Sequence, residues 1–126
     1  MKLLLDTHAF LWWLTDDPKL KEEARSAMTD SAAMVYVSAA SVWEIAIKAK
    51  LGKLDLGETD PVGEIGANDF WELPIEARHA QAAGHLPRHH EDPFDRMLIA
   101  QAQVEKLVIV SHDSKFAAYE VEILST

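Results

Sequence analysis

The stretch KLLLDTHAFLWWL, residues 2–14, sets a short apolar run against a polar step, Asp6-Thr7-His8, and then a second apolar run. KLLL (2–5) does not alternate polar with apolar, and a run of that kind suits a strand covered on both faces. Two further stretches repeat the pattern: MVYV (34–37) is stopped by Ser38, and LVIV (107–110) by Ser111. FWEL (70–73), closed by Pro74, is a weaker candidate, and VEIL (121–124) reads as an edge strand. Between them lie helical segments, roughly 18–29, 39–51, 61–68, 76–84 and 93–106, with Gly52 placed to follow the second as its C′ residue. Strands alternating with helices predict an α/β fold, a three-layer α/β/α sandwich around a mainly parallel sheet of about five strands. Right-handed crossovers then collect the strand C-terminal ends along one edge, outside which ligands of such sheets bind.

At 126 residues and 14.1 kDa, with 48% hydrophobic residues, the chain predicts a single domain, residues 1–126, with one proper interior. It contains no cysteine, which excludes disulfides and thiolate metal sites and suits a reducing cytoplasm. The apolar N-terminal run is cut by Asp6 and His8 without a small-residue cleavage site, so it does not read as a signal peptide. Nowhere do about 18 apolar residues run together, so no membrane span is expected. Twelve basic against 21 acidic residues give a net charge of −9, which argues against coating nucleic acid by bulk attraction. It leaves open a site in which carboxylates hold a metal ion that meets the phosphate.

Taken singly, each notable acid has a structural explanation. Asp17-Pro18, Asp60-Pro61 and Asp92-Pro93 each place a capping Asp before a Pro suited to a first helical turn. Asp95 then falls at the third helical position, where the helix dipole favours an acid. It shares a face with Leu98, Ile99 and Ala102, however, and an acid opening an apolar stripe is costly unless something positive meets it. Asp6 ends a central strand and can cap the helix after it. Glu44 has two explanations: a capping box from Ser41, or a pair with Lys48 at i,i+4 on a helix started by Ser38. Asp113, just past the LVIV strand, can cap the short DSKFAAY helix.

Together the four point elsewhere. The expected topology brings Asp6, Glu44, Asp95 and Asp113 to one crevice, where they repel unless a cation or several buried bases balance them. No basic residue directly follows any of the three strands. Hard oxygen donors without cysteine suit Mg²⁺ or Mn²⁺ better than Zn²⁺, and such sites serve phosphodiester hydrolysis.

LLLDTHAFLWWL, VSAASVWEIAIK, HEDPFDRMLIAQA and LVIVSHDSKFAAYEVEIL stand in an order and at spacings that resemble the PIN-domain ribonucleases, specifically the VapC toxins of bacterial type II toxin–antitoxin systems. The likeness covers nearly the whole chain. It implies endoribonuclease activity dependent on Mg²⁺ or Mn²⁺, a homodimer, and inhibition by a cognate VapB-type antitoxin. It also implies that Asp6 and Asp95 are principal metal ligands and that Glu44 and Asp113 complete the set. Thr7 and Ser111 match the family's small hydroxyl residues lining the site. Attack on phosphorus by metal-activated water, in line with the leaving 3′ oxygen, is the implied reaction.

Lys48, Arg96 and Lys115 are the bases nearest these motifs and are candidates to touch RNA phosphates; Lys50 and Lys53 read as a solvated helix face. His8 and His112 each neighbour an acid and fall at the rim, whereas His89 and His90 read as solvated loop residues. Phe10, Leu11, Trp12, Trp13 and Leu14 cannot all face one core, so Trp12 or Trp13 is a candidate for a hydrophobic groove or a subunit contact. The resemblance implies an antitoxin segment in such a groove. Two other classes remain: a doubly wound phosphotransfer or phosphohydrolase domain with Asp6 as nucleophile, and a non-catalytic interaction module.

Overall fold

The computed structural model describes residues 1–126. Strand β1 (Lys2–Leu5) leads directly into α1 (Thr7–Leu14), followed by α2 (Glu22–Thr29) and β2 (Met34–Ser38). Next come α3 (Ala39–Lys50), α4 (Pro61–Ala67), β3 (Trp71–Leu73) and α5 (Ala77–His85). The chain closes with α6 (Pro93–Glu105), β4 (Val108–Ser111), a 3-10 turn (Ser114–Ala118) and β5 (Ile123–Ser125). All strand pairings are parallel, in the order β3-β2-β1-β4-β5.

The non-alternating runs do what a doubly covered sheet requires. Leu3, Leu4 and Leu5 of the central strand are all 0% exposed. Leu3 and Leu5 join Val35, Val37 and Val110 on one face, packed on Phe10, Ala24, Met28 and Ile45 of the helices above. Leu4 and Ile109 face the other way, onto Leu98, Ile99, Ala102 and Phe116. Each such burial stabilises by about 1.5–3 kcal/mol, and together they set the register. The two edge strands have three residues each, which leaves little unpaired backbone.

Helix starts follow the polar residues. Ser38 ends β2 and caps α3, its Oγ accepting from Ala40 N at 3.0 Å, so the helix begins there and Glu44 sits well inside it. Gly52 follows α3 at φ +74°, the left-handed conformation expected of it. Asp60 and Asp92 cap α4 and α6 with Pro at the first turn. Asp17-Pro18 departs from that pattern: Asp17 Oδ1 accepts from Lys19 N in an isolated turn, and α2 begins only at Glu22. Arg25 explains the difference. Its guanidinium donates to the carbonyls of Asp17 and Leu20, which satisfies this turn without a helix.

Candidate active site

Pairing of Leu5 with Val110 sets the residues that follow each of them side by side. Asp6 therefore meets Ser111, whose Oγ donates to Asp6 Oδ2 at 2.7 Å, while Ala9 N donates to Oδ1 at 2.8 Å as α1 starts. Thr7, the next residue, turns toward α3: its Oγ1 donates to Glu44 Oε1 at 2.6 Å and lies 3.0 Å from Ser41 Oγ. Lys48, one turn on, holds Glu44 Oε2 at 2.8 Å. From the far side, Asp92 Oδ1 accepts from Asp95 N at 3.0 Å and orients the first turn of α6. Asp113 starts the 3-10 turn by accepting from Lys115 N at 2.9 Å.

These acids share one space. Asp6, Glu44, Asp95 and Asp113 line a cavity of about 160 Å³ together with Thr7, His8, Lys48, Asp92 and His112, and no hydrophobic residue contributes to it. Asp6 and Glu44, 3% and 6% exposed, form its floor. Both the capping and the cavity readings of Asp6 and Asp113 hold at once, because the residue that starts a helix beyond a strand end also lies at the sheet's C-terminal edge.

The electrostatics follow from crowding. Burial pushes the Asp6 carboxyl above its ordinary value, against the opposing pull of the Ser111 and Ala9 hydrogen bonds and of His8 and His112. Asp95 is pushed up to about 7, first by burial and then by Asp92, Glu44, Asp6 and Asp113. Carboxylates so crowded favour a bound proton or cation among them. The donor set, several carboxylate oxygens with a hydroxyl and imidazole nearby, fits a divalent cation.

Several residues stand elsewhere than the sequence suggests. His90 is not solvated: it is 8% exposed, and its Nε2 lies 2.8 Å from Asp95 Oδ2 and 3.7 Å from Asp113 Oδ2. A loop has no periodicity that announces which residue turns inward; the nearness of His90 to the Asp92 cap was the sole clue. Arg96 does not face the cavity. Its guanidinium donates to four backbone carbonyls, of Ala83, Leu86, Pro87 and His90, at 2.8–3.2 Å. It closes the end of α5 and the following loop instead of presenting a free charge to RNA. Lys115 is exposed beyond the cavity lining, while Lys48 lines it. Ser111 acts from behind Asp6, and Ser41, which does not cap α3 as the capping-box spacing suggested, buries its hydroxyl beside Thr7.

The two tryptophans part company. Trp13 Nε1 donates to Asn68 Oδ1 at 3.0 Å and its ring packs on Phe70, so it is a packing residue. Trp12 lies against His112, ring centroids 4.7 Å apart, and lines a groove of about 470 Å³ with Leu11, Leu14, Leu54 and Leu56. His8 and Lys48 belong to both that groove and the acidic cavity, so the two are contiguous.

Residues 3–122 match the family model of the PIN domain. The chain belongs to the PIN domain family. No curated protein matches the sequence. Among solved structures, this PIN domain is similar to a chain of VapBC2 from Rickettsia felis bound to a DNA fragment from their promoter, at a TM-score of 0.75 and 13% identity over 99% of this chain and 98% of that one. A chain of the DNA-bound VapBC from Salmonella typhimurium matches at 0.74 and 16% identity, again over 99% and 98%. FitAcB from Neisseria gonorrhoeae matches at 0.64 and 21% identity over 97% and 96%. At these identities the likeness establishes the fold, and the five-stranded parallel sheet between helical layers is the PIN architecture. No helix of this PIN domain is long and apolar enough to cross a membrane.

Proposed function

We propose that this PIN domain is a divalent-metal-dependent endoribonuclease, the toxin of a type II toxin–antitoxin pair, acting in the cytoplasm as a homodimer and restrained by a VapB-type antitoxin. The convergence of Asp6, Glu44, Asp95 and Asp113 on one cavity without apolar lining carries this reading. The solved complexes of similar fold are VapBC and FitAB assemblies, which supports the toxin and antitoxin roles.

Asp6 and Asp95, with Glu44 and Asp113, would hold Mg²⁺ or Mn²⁺. Such an ion supplies Lewis-acid polarisation of the phosphodiester and activation of water for attack at phosphorus. The chain's own residues prepare the place. Ser111 and the Ala9 amide fix both Asp6 oxygens, Thr7 and Lys48 fix those of Glu44, and the Asp92 cap fixes the start of α6 at Asp95. This preorganisation removes the cost of gathering like charges when substrate arrives. With its pKa near 7, Asp95 holds a proton for part of the time at neutrality and releases it when positive charge enters. Lys48, 40% exposed, adds a cationic edge to the cavity that an RNA phosphate would meet.

The alternative with Asp6 as a phosphorylated nucleophile suits the geometry less well, since both its oxygens accept hydrogen bonds and it is 3% exposed. RNA cleavage by the purified protein, with and without EDTA, and by Asp6→Asn, decides the matter. Cleavage abolished by either treatment supports the proposal; cleavage surviving both overturns it, and accumulation of phosphoaspartate favours the alternative.

A further inference from the structure

His90 carries a contact that its hydrogen bonds do not explain. The ring is held firmly: the His90 amide donates to Tyr119 Oη at 2.8 Å, Arg96 Nη1 donates to the His90 carbonyl at 3.2 Å, and the imidazole stacks edgewise on Phe116. So fixed, Nε2 is buried without a hydrogen-bond partner. Yet it lies only 2.8 Å from Asp95 Oδ2 and 3.7 Å from Asp113 Oδ2. A ring N–H donating to a carboxylate would point along the N···O line. Here the oxygen stands off the nitrogen's axis, close but misaligned.

That disposition is the one two neighbouring ligands of a single ion adopt. Metal bonds of about 2.0–2.2 Å place adjacent donors roughly 3 Å apart, with each lone pair directed at the ion and not at the other ligand. The three atoms of His90, Asp95 and Asp113 lie within 4.8 Å of one another. Thr126 Oγ1 is the one other buried side-chain polar atom without a hydrogen-bond partner, and a bound ion is one of the few explanations such an atom has.

We propose that His90 is a nitrogen ligand of the metal held by Asp95 and Asp113, and that it biases this PIN domain toward Mn²⁺ over Mg²⁺. The inference rests on the reading of the acidic cavity as a metal site and adds to it a ligand type and an ion preference. Imidazole is a borderline donor: it strengthens binding of Mn²⁺ and later first-row ions, while Mg²⁺ favours oxygen alone. Coordination through Nε2 puts the ring proton on Nδ1. The contact that yields is Asp92 N to Nδ1, a long one at 3.3 Å.

The test uses the metal-free full chain loaded with Mn²⁺. Electron spin-echo envelope modulation registers a nitrogen bonded to Mn²⁺ directly, and calorimetry gives the affinities of Mn²⁺ and Mg²⁺ for the wild type, His90→Gln and Asp95→Asn. Nitrogen modulation is expected in the wild type and absent in His90→Gln, with Mn²⁺ binding weakened about tenfold or more and Mg²⁺ binding by less than about threefold. Wild-type Mn²⁺ without nitrogen modulation, or modulation that persists in His90→Gln, overturns the inference; if Asp95→Asn still abolishes binding, the reading of the acidic site survives. Failure of the wild type to bind Mn²⁺, or binding indifferent to Asp95→Asn, overturns both.

Discussion

Ser111 Oγ reaches Asp6 Oδ2 at 2.7 Å across the seam between the ends of β4 and β1, and it is itself held by the Asp113 amide at 3.0 Å. One hydroxyl thereby ties two of the four acids together and opposes the upward push of burial on Asp6. Ser111→Ala should destabilise the fold by about 1–2 kcal/mol, since a buried carboxylate loses a charge-assisted donor. It should also weaken divalent-ion affinity by roughly tenfold, as loss of a ligand's supporting hydrogen bond does elsewhere. Ser111→Thr, which keeps the hydroxyl, should restore most of the affinity. Thermal denaturation and calorimetric titration check both.

Asp95 makes the metal-free protein sensitive to pH. Its ordinary value is 3.8 and its folded value is about 7, so between these limits the folded chain keeps a proton that the unfolded chain has released. Stability is therefore full at the acid end of this window and is lost as pH rises toward 7. Because the cavity is open to solvent on one side, the loss is about 1–2 kcal/mol and not the larger figure an isolated buried acid would give. In EDTA, the melting temperature of the wild type should fall by roughly 3–10 °C relative to Asp95→Asn between pH 5 and pH 8. Addition of Mn²⁺ should abolish the difference. Parallel pH profiles of the two proteins would contradict the assignment.

Arg96 works as a clamp. Its guanidinium spans carbonyls at the end of α5 and in the loop that carries His90. A lysine has neither the planar fork nor enough donors to replace it. Arg96→Lys should cost roughly 2–4 kcal/mol in denaturant unfolding, because carbonyls that met a charged donor are left short of partners. Its effect on RNA binding in the folded protein should be small, in contrast to Lys48→Ala, whose loss removes a charge from the cavity itself.

Trp12 and Trp13 should separate by phenotype. Trp13→Ala removes a packed ring and its bond to Asn68 and should cost about 3–4 kcal/mol of stability with little direct effect at the groove. Trp12→Ala should leave folding nearly intact and reduce affinity for an antitoxin segment by roughly tenfold or more, as expected of a central aromatic contact. Binding of a cognate antitoxin peptide to Trp12→Ala as tightly as to the wild type would remove the groove from the proposal.

The fold was legible in the sequence because unbroken apolar runs such as Leu3–Leu5 and Val108–Val110 have no other economical home than a sheet covered on both sides. The gathering of Asp6, Glu44, Asp95 and Asp113 was legible for a related reason: three of them closely follow parallel strands, and the fourth opens a crossover helix that enters at the same edge. What escaped was decided by loop backbone. His90 turns inward because Tyr119 and Arg96 seize its amide and carbonyl, and these partners are 29 and 6 residues away with no pattern linking them. Asp17-Pro18 fails to start a helix because Arg25 folds back over it, a long-side-chain contact of the same unpatterned kind. Trp12 and Trp13 differ only in the direction each leaves α1, which composition alone does not set.

Asp6 begins α1 and braces β4 as well as facing the cavity, so its removal is two injuries at once. Asparagine begins helices as well as aspartate does, and alanine does not. An inactive Asp6→Asn protein should therefore remain a faithful copy of the shape, fit for trapping a bound RNA or raising an antitoxin complex, whereas Asp6→Ala would confuse lost chemistry with a loosened scaffold.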